Sequence, residues 1–253
     1  MFGPSEKQLT DLNLAPAPRA DPALYPGERL AFDYLLRDDR VRPLAPGVDG
    51  WPDGHDDRTA VVAFGSNAAP AQLVAKFGGH GGPIAVTRAR LRGCLLAHSA
   101  HVSDPGYLPW VLVDEPGAAV DCAVLWLDEP QRAQLDVTEP NYELVPVHAD
   151  RYLLQLAAVE TPVRAPIQAA VYRGRWGALR WPDADRPLPA GSQRQLFERL
   201  AALGWFRNMV GSGPLRERQA RLAGDAALRD RMRDELAERG MTVPDGWQVG
   251  PTG

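Results

Sequence analysis

Thr59-Ala60-Val61-Val62-Ala63-Phe64-Gly65-Ser66-Asn67 is the stretch on which the fold assignment depends. Its first six residues form a short, continuously apolar run, which is typical of a buried strand. Gly65 then permits a sharp turn and a close approach of the backbone to a ligand. The segment from Pro70 to Phe77 reads as a short helix, and Pro70 suits its first turn because a missing N–H is no loss there.

Strand-like segments outnumber helical ones in the part of the chain that follows. Apolar runs bounded by Gly, Pro or Asp predict further strands at 84–98, 109–114, 119–127, 143–149, 151–159 and 166–173. One short helix is predicted between them, at 128–135. Because strands dominate and long helices are few, the sequence favours an α+β fold over a doubly wound parallel sheet.

The N-terminal part of the chain has a different composition from this core. Residues 1–57 are expected to hold an arm and a helix, and residues 1–27, which are rich in Pro and Ala, are expected to form the extended arm. A helix is expected after the arm, from Glu28 to about Arg40, because Leu30, Tyr34 and Leu35 fall at helical spacing. The predicted core domain spans 58–175.

The C-terminal part, 176–253, is expected to be a helical extension. Ser192 and Gln195 have the spacing of a capping box, which marks the start of a helix. The segment 215–238 is expected to be a second helix that stops at Gly240. This helical region holds seven arginines and six acidic residues over 215–239, which indicates a solvated mixed face. Its apolar stripe is expected to pack on the core, or to form a homodimer contact.

Composition excludes several classes of function. There are 28 Lys and Arg residues against 32 Asp and Glu, so the net charge of −4 gives no bulk attraction to nucleic acid or to an anionic membrane. No secretory signal and no membrane-spanning run is expected. Cys94 and Cys122 lie in apolar, strand-like segments and are expected to be buried free thiols, which favours a cytoplasmic protein.

A second segment, whose residues suit acid–base chemistry, lies about seventy residues after Gly65. Leu135-Asp136-Val137-Thr138-Glu139-Pro140-Asn141-Tyr142 places an acidic pair between a short helix and a strand. Each segment alone has an ordinary explanation, since Gly-Ser-Asn is a common turn and acidic loops are usually solvated. The N–H groups after Gly65 nevertheless suit a carboxylate or a developing oxyanion, because unpaired donors lie at the start of a helix.

Taken together, in this order and spacing, the two segments resemble the γ-glutamylcyclotransferase superfamily, which includes the AIG2-like proteins. That family has an apolar strand ending in Tyr-Gly-Ser-Asn, then Leu-Asp-x-x-Glu with a tyrosine soon after, and later a strand of the form Ala-x-x-Tyr. The matching positions are Phe64 to Asn67, Leu135 to Glu139, Tyr142 and Tyr172. The resemblance covers somewhat under half of the chain.

The resemblance implies a small mixed β-barrel with helices around it. It also implies an enzyme that cyclises a γ-glutamyl group to 5-oxoproline and releases an amine or peptide. By family position Glu139 is the general acid and base, and no metal or organic cofactor is required. The substrate-binding positions carried over from the family are Phe64, Gly65, Ser66, Asn67, Tyr142 and Tyr172. The expected partner is therefore a small γ-glutamyl compound.

Three departures from the family pattern keep a second hypothesis open. Phe64 stands where the family has Tyr, Ala68 replaces a larger apolar residue, and Pro140 stands where Gly is common. A non-catalytic member of the fold, which binds a small carboxylate or serves as a scaffold, is consistent with these changes.

A serine hydrolase is disfavoured as a third hypothesis. Ser66 with His98 or His101 and Asp104 would supply the residue types of a triad, but Phe64 and Ala68 replace the two glycines of a nucleophile elbow. The two histidines are instead expected to be isolated or hydrogen-bonded. No metal site is expected either, because no His-Glu-x-x-His or Cys-x-x-Cys pattern occurs.

Overall fold

The computed structural model describes residues 6–44, 57–78, 82–157 and 168–247. Within these ranges the strands are β1 (Lys7–Gln8), β2 (Tyr34–Arg37), β3 (Arg40–Pro43), β4 (Thr59–Ala63), β5 (Ile84–His98), β6 (Trp110–Leu127), β7 (Tyr142–Pro146), β8 (Leu154–Leu156), β9 (Ala169–Gly174), β10 (Ala178–Leu179) and β11 (Thr242–Val243). The α-helices are α1 (Pro70–Phe77), α2 (Glu129–Val137), α3 (Gln193–Ala201), α4 (Gly204–Val210), α5 (Leu215–Ala223) and α6 (Ala226–Glu238).

Nine of these strands form one mixed sheet, which confirms the α+β class. The strand order is β1-β3-β2-β5-β6-β4-β9-β7, and β8 pairs with β5 beside this path. Only β4 and β9 pair in parallel among the described strands. β4, which carries the deciding stretch, therefore lies inside the sheet between β6 and β9, as its continuous apolar run predicts.

The closed barrel implied by the resemblance is not confirmed. No hydrogen-bonded pairing joins β7 to β8 in the part of the chain that the structure describes. One apolar core nevertheless receives side chains from every strand from β4 to β9, including Val62, Leu91, Val124, Val145 and Val171. Side chains of these strands thus share one core, although no ladder closes the sheet among the described strands.

The longest hairpin of the sheet, β5 with β6, corrects the sequence interpretation of two separate strands at 109–114 and 119–127. β6 is continuous over 18 residues, and its register with β5 shifts at Gly93. Gly93 has φ +90°, and a Cβ there would lie 2.6 Å from the Arg151 carbonyl oxygen. Pro116 and Gly117, which suggest a turn, lie opposite this register shift. The pairing of β5 with β6 continues on both sides of it, so the two residues form an irregularity within one strand.

The helix expected at 28–40 is wrong. Residues 34–43 form the β2–β3 hairpin, with Asp38 at φ +53° in its turn, and β2 pairs with β5. Tyr34 and Leu36 are buried while Leu35 and Arg37 are more exposed, which is the alternation of a strand. Pairing with the edge of β5 therefore decides the conformation, and the helical spacing was coincidental.

The helical C-terminal region is confirmed with one correction. The expected helix over 215–238 is broken into α5 and α6, because the Asp225 side chain caps α6 by accepting from the Leu228 N–H at 2.9 Å. Ser192 caps α3 by accepting from the Gln195 N–H at 3.2 Å, but the reciprocal bond of a capping box does not form. Among the described residues, no helix has the length and apolar character required to cross a bilayer.

Both cysteines are buried and free, as expected. Burial raises the pKa of the Cys94 and Cys122 thiols to about 12, so both stay protonated at neutral pH. They therefore behave as small apolar residues of the core.

Candidate active site

A cavity of about 520 Å³ lies at the carboxyl end of β4. Four parts of the chain line it: the turn after β4, the helix α1, the loop from His101 to Trp110, and the loop between α2 and β7. Residues of the N-terminal arm complete the lining. The size suits a small organic ligand.

The turn after β4 forms the floor of the cavity. Ser66–Ala68 is a single 3-10 turn, closed by bonds from the Ala68 N–H to the Gly65 carbonyl at 3.1 Å and from the Ala69 N–H to the Ser66 carbonyl at 3.0 Å. The amide N–H groups of Ser66 and Asn67 donate to no protein group in the described ranges. They remain available to a ligand.

Glycine is required at position 65 by a close neighbour. A Cβ on Gly65 would lie 2.7 Å from the hydroxyl oxygen of Tyr25. The turn and the N-terminal arm therefore touch at this point, and any side chain at position 65 would force them apart.

Glu139 lies at the end of α2 and reaches across the cavity to the turn and to α1. Its Oε1 accepts a hydrogen bond from Asn67 Nδ2 at 2.9 Å. The same oxygen accepts from Lys76 Nζ in an ion pair, in which the side chains are only 6% exposed for Lys76 and 12% for Glu139. The structure thus brings the two distant sequence motifs together around one cavity.

This ion pair defines the electrostatics around Glu139. Carboxylate and ammonium compensate each other in a setting with little water. The other carboxylate oxygen, Oε2, has no hydrogen-bond partner in the described part of the chain. A ligand cation or N–H group can therefore approach Glu139 without displacing Lys76.

Sequence reasoning missed Lys76. The chain has only two lysines, Lys7 and Lys76, and the second lies in the helix that directly follows the Gly-Ser-Asn turn. Its position in the last turn of α1 also favours a cation, because the carbonyl end of a helix is negative. The available signal was a lysine in the helix that directly follows the turn, in a chain with very few lysines.

Aromatic side chains form one wall of the cavity. The ring of Tyr25 stacks on Tyr107 at 4.3 Å between centroids and meets Trp110 edge-on at 5.7 Å. Tyr142 donates its hydroxyl to the Trp110 carbonyl at 3.3 Å. Burial raises the pKa of Tyr25 and of Tyr142 well above its usual range and that of Tyr107 to about 12. These phenols are therefore neutral donors or acceptors at physiological pH.

The remaining substrate-binding predictions, Phe64 and Tyr172, also line the cavity. Tyr172 donates its hydroxyl to Asp136 Oδ1 at 2.6 Å, so this hydroxyl is already engaged. The Phe64 carbonyl accepts from the Arg29 guanidinium, and the Phe64 side chain is part of the apolar core. These two residues shape the wall and present no free polar group in the described structure.

The residues of the rejected serine-hydrolase triad do not form one. His98 accepts from the Gly191 N–H at 3.0 Å through Nε2, and His101 pairs through Nδ1 with the Ser99 hydroxyl at 2.7 Å. Asp104 binds Arg229 at 2.8 Å. Burial lowers the pKa of His98 to about 4 and that of His101 to about 3. Both histidines are hydrogen-bonded, as expected, while His101 Nε2 is buried without a partner in the described ranges.

No cluster of three or more His, Cys, Asp or Glu side chains suited to a metal ion occurs in the ranges that the structure describes. The ionic groups of the cavity are Arg19, Lys76, Asp104 and Glu139. The cavity therefore offers acid, base and hydrogen-bonding groups of the protein itself for chemistry.

Comparison with known proteins gives structural neighbours only. No family model matches the chain, and no curated protein matches it. Similar solved structures include a gamma-glutamyl cyclotransferase, the family that the sequence motifs resemble, with 13% identity over 77% of this chain and 94% of that one. An uncharacterized protein from Homo sapiens has 14% identity over 78% and 95%, and a protein from Arabidopsis thaliana studied in solution has 17% over 62% and 93%.

Each of these three neighbours superposes with a TM-score of 0.38. This value describes a partial likeness of the chain path. The assignment of a site consequently rests on the residues around the cavity and on the two sequence motifs.

Proposed function

We propose that this protein is a γ-glutamyl cyclotransferase-type enzyme that releases 5-oxoproline from a γ-glutamyl amine or peptide. The observation that carries the proposal is the meeting of Glu139 with the Gly65-Ser66-Asn67 turn in one cavity, through the 2.9 Å bond from Asn67. These are the two segments on which the family resemblance depends. Their convergence supports a common site.

The reaction is an intramolecular aminolysis. The substrate's α-nitrogen attacks its own γ-carbonyl carbon, so that a new C–N bond forms while the amide bond to the leaving amine breaks. Because the nucleophile is tethered, its effective concentration is high without further help from the enzyme. Two protons leave the α-ammonium over the reaction: the leaving nitrogen takes one to depart as an amine, and the released amine binds the second in neutral water.

Glu139 is the group proposed to move these protons. Its Oε2 accepts a proton from the α-ammonium and returns it to the leaving nitrogen. The amide N–H groups of Ser66 and Asn67 hold the oxyanion that develops on the γ-carbonyl oxygen. Lys76 keeps the carboxylate oriented through Oε1, which leaves Oε2 for the substrate.

Replacement of Glu139 tests the proposal. Glu139→Gln keeps the shape and the Asn67 contact but removes the base, so release of 5-oxoproline should fall by about two to four orders of magnitude. Glu143→Gln, four residues further on β7 and outside the cavity lining, is the matched control and should keep full activity. Unchanged 5-oxoproline release by Glu139→Gln would remove this residue from the mechanism.

A second function, binding of a small carboxylate without turnover, is favoured by one specific observation. The Lys76 ammonium already compensates the charge of Glu139, as it would in a site that holds a ligand without transferring a proton. A panel of γ-glutamyl amines, γ-glutamyl peptides and glutathione, scored for 5-oxoproline, separates the two functions. Tight binding of one compound with no product from any of them would favour the binding protein.

A further inference from the structure

The N-terminal arm contributes polar groups to the cavity that lie outside the segments resembling the family. Arg19 and Tyr25 both line it. The arm is fastened on both sides of these residues: the Arg19 N–H donates to Gln72 Oε1 on α1 at 3.0 Å, and the Arg29 guanidinium donates to the Asp121 carbonyl at 3.0 Å. Asp21 also pairs with Arg216 of α5. These contacts hold the arm in place against the cavity.

Tyr25 presents an unused donor beside the turn. Its hydroxyl oxygen accepts from the Trp110 N–H at 2.8 Å, and its side chain is held by stacking on Tyr107. The residue is only 5% exposed, yet its O–H hydrogen has no acceptor in the described ranges. A buried donor without a partner is costly, and a ligand acceptor in the cavity would satisfy it.

Arg19 supplies a positive charge that pairs with no acidic side chain of the described residues. Of the charged groups that line the cavity, Lys76 is paired with Glu139 and Asp104 is paired with Arg229. Arg19 makes no ion pair within the described residues, and its exposed side chain lies at the rim. Burial raises the pKa of Tyr107 to about 12, and the Arg19 charge acts in the opposite direction.

We propose that Arg19 and Tyr25 form a carboxylate subsite that the N-terminal arm adds to the cavity. The ligand group is the α-carboxylate of a glutamyl-type compound: it pairs with the guanidinium and accepts the Tyr25 hydroxyl. The turn amides are then left for the γ-carbonyl oxygen. The nature of the ligand rests on the proposed function, but the subsite serves the catalytic and the binding hypothesis alike.

A comparison of two probes isolates this contact from all others. Isothermal titration calorimetry measures the Kd of 5-oxoproline, which has a carboxylate, and of 5-oxoprolinamide, which has a neutral amide in its place. The wild-type protein should bind 5-oxoproline about tenfold more tightly, the discrimination expected of a charge-assisted bond at a partly exposed rim. Arg19→Gln should bind the two probes with nearly equal Kd.

Tyr25→Phe and two matched controls complete the design. Tyr25→Phe keeps the stacked ring and should weaken 5-oxoproline binding several-fold. Tyr34→Phe removes another buried hydroxyl that lies outside the cavity lining, and Arg37→Gln removes an exposed guanidinium of β2. Both controls should keep the wild-type Kd and the wild-type preference for the carboxylate.

The outcomes separate this inference from the proposed function. If the wild-type protein prefers 5-oxoproline and Arg19→Gln keeps that preference in full, the subsite is wrong even when 5-oxoproline is produced from a γ-glutamyl compound. If Arg19→Gln loses the preference while no γ-glutamyl compound is turned over, the subsite stands and the enzyme assignment fails. Absence of binding of both probes to the wild-type protein at millimolar concentration overturns the subsite.

Discussion

Replacement of Lys76 by methionine is the most informative perturbation of stability in this protein. The change keeps the unbranched stem of the side chain and removes the ammonium, so Glu139 is left as an uncompensated carboxylate with only Asn67 as a donor. Breaking a buried ion pair in this way costs about 3 to 5 kcal/mol. Because Glu139 is 12% exposed and keeps one hydrogen bond, we expect about 3 kcal/mol, the lower end of the range.

The assay is a double-mutant cycle in which urea denaturation gives the free energy of unfolding and thermal denaturation gives the melting temperature. Lys76→Met alone should lower the melting temperature by roughly 6–12 °C, since each kcal/mol shifts a protein of this size by about 2–4 °C. The double variant Lys76→Met/Glu139→Gln removes both charges, so its loss should be at least about 1.5 kcal/mol smaller than the sum of the two single losses. Lys7→Met, at the chain's other lysine, is the control, and at this exposed position it should cost less than about 0.5 kcal/mol.

Additive losses in this cycle would refute the reasoning. They would mean that the carboxylate and the ammonium do not interact in solution. A loss below about 1 kcal/mol for Lys76→Met would contradict it as well, because a charge that can be left unpaired at so little cost is hydrated and does not lie in the cavity wall.

Two further perturbations test the contacts around the site and the buried histidines. Gly65→Ala should lower the free energy of unfolding by about 1–3 kcal/mol, because its Cβ would lie 2.7 Å from the Tyr25 hydroxyl. Tyr25→Phe should relieve much of that cost, because the next ring atom lies 3.7 Å away. Equal losses for Gly65→Ala in the wild-type protein and in the Tyr25→Phe variant would exclude this contact. For His98 and His101 the folded pKa values, about 4 and about 3, lie below the unfolded value, so the unfolded chain binds protons first and stability falls as the pH falls below about 6.5. Urea denaturation should show a loss of about 2 kcal/mol for each histidine between pH 7.5 and pH 5, and a flat profile would contradict their burial as neutral rings.

The sequence was sufficient to predict those elements whose local hydrophobic pattern agrees with their burial in the fold. β4 is apolar from Ala60 to Ala63 because both of its faces are buried, and α1 begins at a proline, so both could be placed from local rules. The convergence of Glu139 with the turn was expected from the resemblance of the two motifs to one family. The contact between them could be anticipated without any knowledge of the strand order.

Features that depend on distant partners could not be predicted. The β2–β3 hairpin forms because the edge of β5 accepts β2, and nothing in the local spacing of Leu30, Tyr34 and Leu35 reveals that edge. The Lys76 ion pair and the entry of Tyr25 into the cavity depend equally on packing between segments far apart in the chain. The contacts of the arm with the cavity could not be placed from the sequence, because a proline-rich composition indicates only an extended segment.

A crystal structure of the Glu139→Gln variant with a γ-glutamyl compound would test the central claim most directly. It should place the ligand in the cavity after β4, with the α-nitrogen within about 3.2 Å of the side-chain amide at position 139 and the γ-carbonyl oxygen facing the amides of Ser66 and Asn67. A ligand bound elsewhere, or one whose α-nitrogen points away from position 139, would contradict it.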